Sequence, residues 1–236
     1  MELKEIMAQY HNIELSDKQC ELIMADLSLI IEHNKIHNLT RIESPEAGLV
    51  RHLEDSLIGL PFIMKAPEGR YADIGTGGGF PGIPLAIMTG RETLLVDSVQ
   101  KKMRCLDEVC VDLGIADYVS TYAGRIEQLA VDQGKSFAVI TARALSNMSS
   151  LLELASPLLK MGGQLICYKA RPEQEEIDNA LALEKKLGMK LVSRETTVLS
   201  DGSERCFFVF EKIAKPKVTL PRRVGLAQKN PFVAIK

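Results

Sequence analysis

Apolar residues recur at helical spacing in the first quarter of the chain. Residues 3–11 have this spacing, and Ser16 followed by Gln19 is typical of a capping box that begins a longer helix. Pro45 opens a further stretch of the same period that reaches about residue 60. The clearest stripe consists of Cys20, Ile23, Leu27, Ile30 and Ile31. These patterns predict a helical extension over residues 1–64.

From residue 65 onwards, short apolar runs alternate with helical patterns. The runs predict five strands, at 71–74, 93–96, 118–122, 137–141 and 164–168. Two later runs, 191–199 and 205–210, flank Asp201-Gly202, a dipeptide typical of a hairpin. We therefore predict an α/β fold for residues 65–236, with a Rossmann-like, mostly parallel seven-stranded sheet that ends in an antiparallel hairpin.

A glycine-rich loop, Asp73–Gly82, lies between the first predicted strand and an apolar helix. Gly75, Gly77 and Gly79 alternate along it and leave no Cβ on the side that a ligand would approach. Asp97 ends the next strand, where a carboxylate accepts hydrogen bonds from ribose hydroxyls. An acid, a glycine loop and a second acid resemble the S-adenosylmethionine (SAM) pocket of Rossmann-like methyltransferases more than a nicotinamide site.

Composition and charge narrow the classes of function. No run of about 18 apolar residues and no signal pattern occurs, so we expect a cytoplasmic protein without a membrane span. Five scattered cysteines indicate free thiols in a reducing compartment. Residues 211–236 hold seven basic residues and one acidic residue in a chain of net charge −2. This basic tail is either a contact for a polyanion or a solvated segment.

Two groups of reactive side chains have weaker interpretations. His33 and His37 are four residues apart, a metal-ligand spacing, but no third ligand is evident, so we expect no metal. His52, Asp55 and Ser56 are the residue types of a hydrolase triad, yet they lie within one and a half helical turns and no nucleophile elbow is present. A polar helix face near a pocket is the better interpretation of this segment.

The end of the fourth strand indicates which atom would accept a methyl group. Thr141-Ala142-Arg143 follows that strand, at the sheet edge where open α/β folds bind ligands. The Asn/Asp-Pro-Pro-aromatic motif of amine methyltransferases is absent, as is a Pro-Cys dipeptide for attack on pyrimidine C5. Guanine N7 needs no general base, so catalysis there would be mainly alignment. Arg143 either offsets charge at this site or forms a surface ion pair.

Several motifs resemble those of the glucose-inhibited division protein B family. They are Asn38-Leu-Thr-Arg-Ile42, His52-Leu-Glu-Asp-Ser56, Asp73 to Leu85, Asp97-Ser98 with Lys101-Lys102, Gly124-Arg125 with Glu127, Thr141-Ala-Arg-Ala144 and Pro221-Arg-Arg-Val-Gly225. The resemblance covers nearly the whole chain. It implies a class I SAM-dependent methyltransferase that modifies a guanine of bacterial 16S ribosomal RNA at N7.

The resemblance also implies site residues. Gly75 and Phe80 should contact SAM, Ile126 and Glu127 should contact its adenine end, and Arg143 should lie at the cofactor or the target guanine, as a candidate catalytic residue. With Asp97 and Gly77 added from the loop chemistry, the predicted cofactor set is Gly75, Gly77, Phe80, Asp97, Ile126, Glu127 and Arg143. The candidate RNA contacts are Arg51, Lys101, Lys102, Arg222 and Arg223.

The expected partner is 16S ribosomal RNA or the small ribosomal subunit, with no membrane, no metal and a monomeric chain. The alternative is a SAM-dependent methyltransferase of a small molecule. An NAD-dependent oxidoreductase is a third interpretation, although it usually needs a second nucleotide-binding half. A non-catalytic RNA-binding module is a fourth, but aromatic residues are only 5% of the chain, which argues against base-stacking platforms.

Overall fold

Seven strands form one sheet in a computed structural model that describes residues 2–37, 39 and 44–233, with the backbone alone for residue 37. The Asn38–Ile42 motif, Leu39 excepted, and Lys236 lie outside these residues. The strands are β1 (Tyr71–Ile74), β2 (Thr93–Asp97), β3 (Val119–Ala123), β4 (Phe137–Arg143), β5 (Leu159–Lys169), β6 (Met189–Val198) and β7 (Glu204–Lys212).

The strand order β3-β2-β1-β4-β5-β7-β6 confirms the predicted sheet. The first five strands pair in parallel, and β7 is antiparallel to both β5 and β6. From β1, the strands β2 and β3 extend the sheet to one side, and β4 and β5 extend it to the other. The order therefore reverses between β1 and β4, and ligands bind at such switch points beside the carboxyl ends of the strands. The hairpin inserts β7 next to β5, so the start of β7 lies at this same edge.

The helices form layers on the two faces of the sheet. In the first 65 residues they are α1 (Leu3–His11), α2 (Asp17–His37), α3 (Pro45–Gly48), a π-helical turn (Leu49–Glu54), α4 (Asp55–Leu57) and α5 (Leu60–Lys65). Those of the remaining chain are α6 (Gly82–Thr89), α7 (Gln100–Asp112), α8 (Ile126–Gln133), α9 (Met148–Ala155), α10 (Gln174–Ala182), α11 (Glu184–Leu187) and α12 (Leu226–Lys229).

Alternate residues of each strand supply the two halves of the core. Tyr71 packs with the helices of the first 65 residues and with α6 and α7, whereas the next residue, Ala72, packs with α8, α9 and α10. The predicted helical extension therefore shares a hydrophobic cluster with the sheet. The division of the chain into domains at residue 64 stays a prediction.

Local capping largely follows the sequence. The Ser16 hydroxyl accepts from the Gln19 backbone N–H at 3.2 Å, and the Ser16 N–H donates to Gln19 Oε1 at 3.0 Å, which confirms the capping box. The stretch after Pro45 differs from a regular helix because it contains the π-helical turn. Such turns are frequent at functional sites, and this one places Glu54 and Asp55 in succession in the interior.

Candidate active site

Asp73, at the end of β1, fixes the glycine loop to the sheet. Its Oδ2 accepts from the Gly82 N–H at 3.1 Å and its Oδ1 accepts from the Thr141 hydroxyl at 2.7 Å. The Thr141 oxygen lies 2.6 Å from the Tyr71 hydroxyl. Burial raises the pKa of Asp73 to about 6, despite these hydrogen bonds. Asp73 thus holds both ends of the loop and the adjacent strand together.

The loop itself leaves no room for a side chain at its first glycine. Gly75 has φ +73°, and a Cβ there would lie 2.7 Å from a methyl carbon of Leu145. Two backbone N–H groups then orient Asp97. The Gly77 N–H donates to its Oδ2 at 3.2 Å, and the Val99 N–H donates to its Oδ1 at 2.9 Å. The carboxylate is therefore held at the carboxyl end of β2, beside Gly75.

A cavity beside these residues brings together most of the predicted cofactor set. This glycine-loop cavity is lined by Gly75, Val96, Asp97, Ser98, Gly124, Arg125, Ile126, Glu127, Leu145, Leu154 and Gln228. Four predicted cofactor contacts are among them, from the ends of β1 and β2 and the start of α8. Gly77 lies next to the cavity through its hydrogen bond to Asp97.

A second cavity, of about 440 Å³, lies across β4 from the first. This arginine cleft is lined by Arg51, His52, Asp55, Arg143, Ala144, Tyr168, Lys169, Ala170 and Arg205. Asp55 is shared by two guanidinium groups: Arg143 Nη1 donates to its Oδ2 at 2.9 Å and Arg205 Nε donates to its Oδ1 at 2.7 Å. Arg143, a predicted cofactor contact, therefore lines the arginine cleft.

The cleft has an excess of positive charge. Lys169 is paired with Glu176 at 2.6 Å, so three arginines face the single carboxylate of Asp55. Arg51 is exposed at the rim, whereas the side chains of Arg143 and Arg205 are mostly buried. A partly buried excess of guanidinium groups suits phosphate, which arginine binds in a fork geometry.

His52, which lines the cleft, belongs to a neutral aromatic pair. The His52 imidazole stacks on the Phe80 ring with centroids 4.4 Å apart and planes within 5°. Burial, followed by the charge of Arg143, lowers the pKa of His52 to about 3, so the imidazole is neutral at physiological pH. Phe80, which the resemblance assigned to the cofactor, has its ring buried in this stack, and it is not among the residues that line the glycine-loop cavity.

Two consecutive residues separate the cavities. Ala144 lines the arginine cleft and Leu145 lines the glycine-loop cavity, directly after β4. Ala144 has φ +54°, a left-handed conformation that is uncommon outside glycine. The chain thus turns sharply between the two cavities.

The predicted RNA contacts lie on different surfaces. Lys101 Nζ donates to the Ile36 carbonyl at 3.3 Å and Lys102 Nζ donates to the Leu39 carbonyl at 3.4 Å, so both lie at the end of α2. Arg222 forms two hydrogen bonds to the Glu153 carboxylate, at 2.6 and 2.5 Å. Arg223 is exposed. Arg222 is therefore engaged by the protein itself, whereas its neighbour faces solvent.

The described part of the chain also bears on metals and membranes. Within it, no three histidine, cysteine, aspartate or glutamate residues are grouped so that they could hold a metal ion. His33 Nδ1 lies 4.0 Å from Glu108 Oε2, and the side chain of His37 is outside the described atoms. No helix among the described residues is both long and apolar enough to cross a bilayer.

Among the cavity residues that the sequence analysis did not predict as contacts are Asp55, Lys169, Arg205 and Gln228. Asp55 was predicted only as part of a polar helix face near a pocket, because the π-helical turn that precedes it leaves no periodic signal. Arg205 was assigned to a hairpin, and the insertion of β7 beside β5 is what brings it to the ligand edge. The position of Lys169 directly after an apolar run was the one available signal for its place there.

Comparisons with known proteins agree with this geometry. A solved O-methyltransferase from Bacillus cereus, in complex with SAH, has a TM-score of 0.59 at 18% identity and covers 89% of this chain and 97% of that chain. A ribosomal protein L11 methylase from Lactobacillus delbrueckii subsp. bulgaricus has a TM-score of 0.54 at 20% identity, over 70% of this chain and 79% of that chain. These structures establish the fold as that of class I SAM methyltransferases.

Sequence relatives are more specific. Proteins called Ribosomal RNA small subunit methyltransferase G from Alkaliphilus oremlandii and Geobacillus kaustophilus are 35% and 34% identical to this chain. The first alignment covers 98% of this chain and 100% of the relative, and the second covers 97% of each. The family model GidB, rRNA small subunit methyltransferase G, matches residues 19–204. The chain therefore belongs to the rRNA small subunit methyltransferase G family.

Proposed function

We propose that this protein transfers a methyl group from SAM to N7 of a guanine in 16S ribosomal RNA. The observation that supports it most directly is the pair of adjoining cavities. One has carboxylates and an open glycine loop, and the other has an excess of arginine. Together with family membership, this arrangement suits a nucleoside-containing methyl donor on one side of Leu145 and a polyanionic acceptor on the other.

The side chains that line the glycine-loop cavity suit the donor chemically. Asp97 offers a carboxylate to ribose hydroxyls, and Glu127 offers acceptor oxygens to an adenine amine. Gly75 lines the same cavity, and the close packing of Leu145 against it requires a residue without a Cβ. When bound, SAM supplies an electrophilic methyl group. The role of the protein would be to hold the donor through Gly75, Asp97, Ile126 and Glu127.

The arginine cleft fits an acceptor that has no proton to lose. The pKa of His52 is lowered to about 3, so its imidazole is a weak base. Both carboxylate oxygens of Asp55 accept hydrogen bonds, from Arg143 and from Arg205. Neither group is placed to act as a strong general base. Guanine N7 has an in-plane lone pair and no proton, so alignment is the main requirement. Arg51, Arg143 and Arg205 would hold the phosphates that flank the target nucleotide.

The remaining RNA contacts in this proposal are Lys101, Lys102 and Arg223, because phosphate contacts give orientation as well as affinity. Arg222 is left out, since Glu153 already pairs with it. We expect the protein to act as a monomer in the cytoplasm, on ribosomal RNA or on the small subunit.

Chemical mapping of the product tests this function. Methylation at N7 makes the base labile, so borohydride followed by aniline should cleave the RNA at the modified guanine. RNA from cells that lack the protein would be treated with purified protein and SAM, and the breaks mapped. The comparison variant is Asp97→Ala. Its loss of a charge-assisted hydrogen bond should weaken cofactor binding by about 1.5–3 kcal/mol.

One new break at a guanine of 16S RNA, absent without the protein and reduced with Asp97→Ala, is the expected result. Methyl transfer without a break would place the methyl group on another atom. The absence of transfer to free RNA and to subunits would overturn the proposal and favour the small-molecule acceptor.

A further inference from the structure

The chain after β7 returns to the glycine-loop cavity. Gln228, on the short helix α12, lines this cavity together with Asp97 and Glu127. It lies in the C-terminal segment, residues 213–233, beyond the residues 19–204 that the family model matches. The basic tail is therefore a part of the cavity wall, in addition to any role in charge.

Buried contacts with α9 fix the position of this segment. The Ser150 hydroxyl, which is fully buried, donates to the Ala227 carbonyl at 2.7 Å. One turn along α9, Glu153 accepts two hydrogen bonds from Arg222. Leu154, the next residue, lines the cavity. A bidentate arginine–carboxylate pair fixes orientation as well as distance, so α12 is held against the cavity at two points.

A third contact joins the segment to the cavity itself. The Gly225 N–H donates to Glu127 Oε1 at 2.6 Å. Glu127 is only 8% exposed, and within the described residues no donor is recorded for its Oε2. Gly225 has φ +78°, a conformation that glycine adopts without strain. One oxygen of the carboxylate is thus held by the segment, beside the side chain of Gln228.

We propose that Gln228 contacts the adenine base of the cofactor, an inference that rests on the proposed function. A glutamine amide presents a donor beside an acceptor, which matches the amine and ring nitrogen of adenine. The Glu127 carboxylate accepts only, so it also suits the amine. Because a glutamine amide can rotate to pair with other bases as well, Gln228 contributes affinity for the base rather than a choice between bases.

Calorimetry on the full-length protein tests this proposal with two ligands, S-adenosylhomocysteine and S-ribosylhomocysteine, which lacks the adenine base. The variant is Gln228→Ala. The matched control is Lys229→Ala, an exposed neighbour on α12 that does not line the cavity. We expect Gln228→Ala to bind S-adenosylhomocysteine about tenfold more weakly, as the loss of about 1.4 kcal/mol implies. Its affinity for S-ribosylhomocysteine should change little, because that ligand has no base for Gln228 to contact.

The control should keep both affinities. Unchanged binding by Gln228→Ala, or equal weakening of both ligands, would overturn the contact between Gln228 and the base while RNA methylation by the wild type stands. Failure of the wild type to bind S-adenosylhomocysteine would overturn the proposed function, and this inference with it.

Discussion

At the scale of single residues, Asp73 has an unusual environment for a carboxyl group. It is fully buried, it accepts two hydrogen bonds, and burial still raises its pKa to about 6. The folded chain therefore keeps a proton at pH values where the unfolded chain has lost it. The stability that depends on this proton is present below about pH 4 and is lost as the pH rises through 6.

Asp73→Asn should isolate this effect, because an amide cannot ionise. We expect the free energy of unfolding of the wild type, relative to the variant, to fall by about 2–3 kcal/mol between pH 4 and pH 7.5. Denaturant titrations of both proteins across this range measure the difference. A difference that stays constant or rises with pH would contradict the raised pKa.

Arg205 is the second residue whose role can be tested alone. Arg205→Ala leaves Asp55 paired with Arg143 and removes one phosphate-binding group from the arginine cleft. We expect kcat/KM for RNA to fall ten- to hundredfold, about 1.4–2.7 kcal/mol, and the affinity for S-adenosylhomocysteine to stay the same. Lys190→Ala, an exposed change on β6, is the control. Equal loss of cofactor binding would show that the cleft is not a separate acceptor site.

At the scale of elements, the sequence predicted β1 at its observed bounds and the other strands to within a few residues at most ends. Strong apolar runs and flanking glycines are sufficient for that. β5 begins five residues earlier than predicted, because residues around Gly162 and Gly163 pair irregularly with β4 and lack an apolar pattern. The π-helical turn and the place of β7 in the sheet depend on tertiary packing, so they leave no local signal.

The glycine loop offers a test at this scale. Gly75→Ala would force a Cβ onto a left-handed residue and against Leu145, so we expect the free energy of unfolding to fall by about 2–4 kcal/mol. Adding Leu145→Ala should recover the share of this loss that comes from the collision with Leu145. It should not recover the share that comes from the left-handed backbone conformation. Thermal and denaturant unfolding of the two single variants and the double variant measure the coupling. If the effects of the two substitutions on the free energy of unfolding simply add, the collision with Leu145 does not contribute to the loss.

At the scale of the whole molecule, the two adjacent arginines of the tail have different environments. Arg222 pairs with Glu153, a side chain that is 3% exposed, while Arg223 faces solvent. Charge counting from the sequence treated them alike. The packing of the C-terminal segment on α9 makes the difference, because it places Arg222 in an ion pair and leaves Arg223 able to reach RNA.

The two arginines should therefore differ in experiments. Arg222→Ala should destabilise the fold by about 3 kcal/mol, because it leaves Glu153 unpaired. Arg223→Ala should leave stability unchanged and reduce the slope of log affinity for RNA against log salt by nearly one. Unfolding curves and salt titrations of both variants measure these effects. If Arg222→Ala keeps its stability and its affinity for RNA depends less on salt, Arg222 contacts RNA after all.

The wall formed by Ala144 and Leu145 has a consequence for the order of events in turnover. Exposed residues border both cavities, with Arg125 and Gln228 at one and Arg51 and Ala170 at the other. Each reactant can then enter and leave by its own opening, without waiting for the other. Initial-rate kinetics should follow a random sequential scheme, in which spent cofactor can be exchanged while the RNA stays bound.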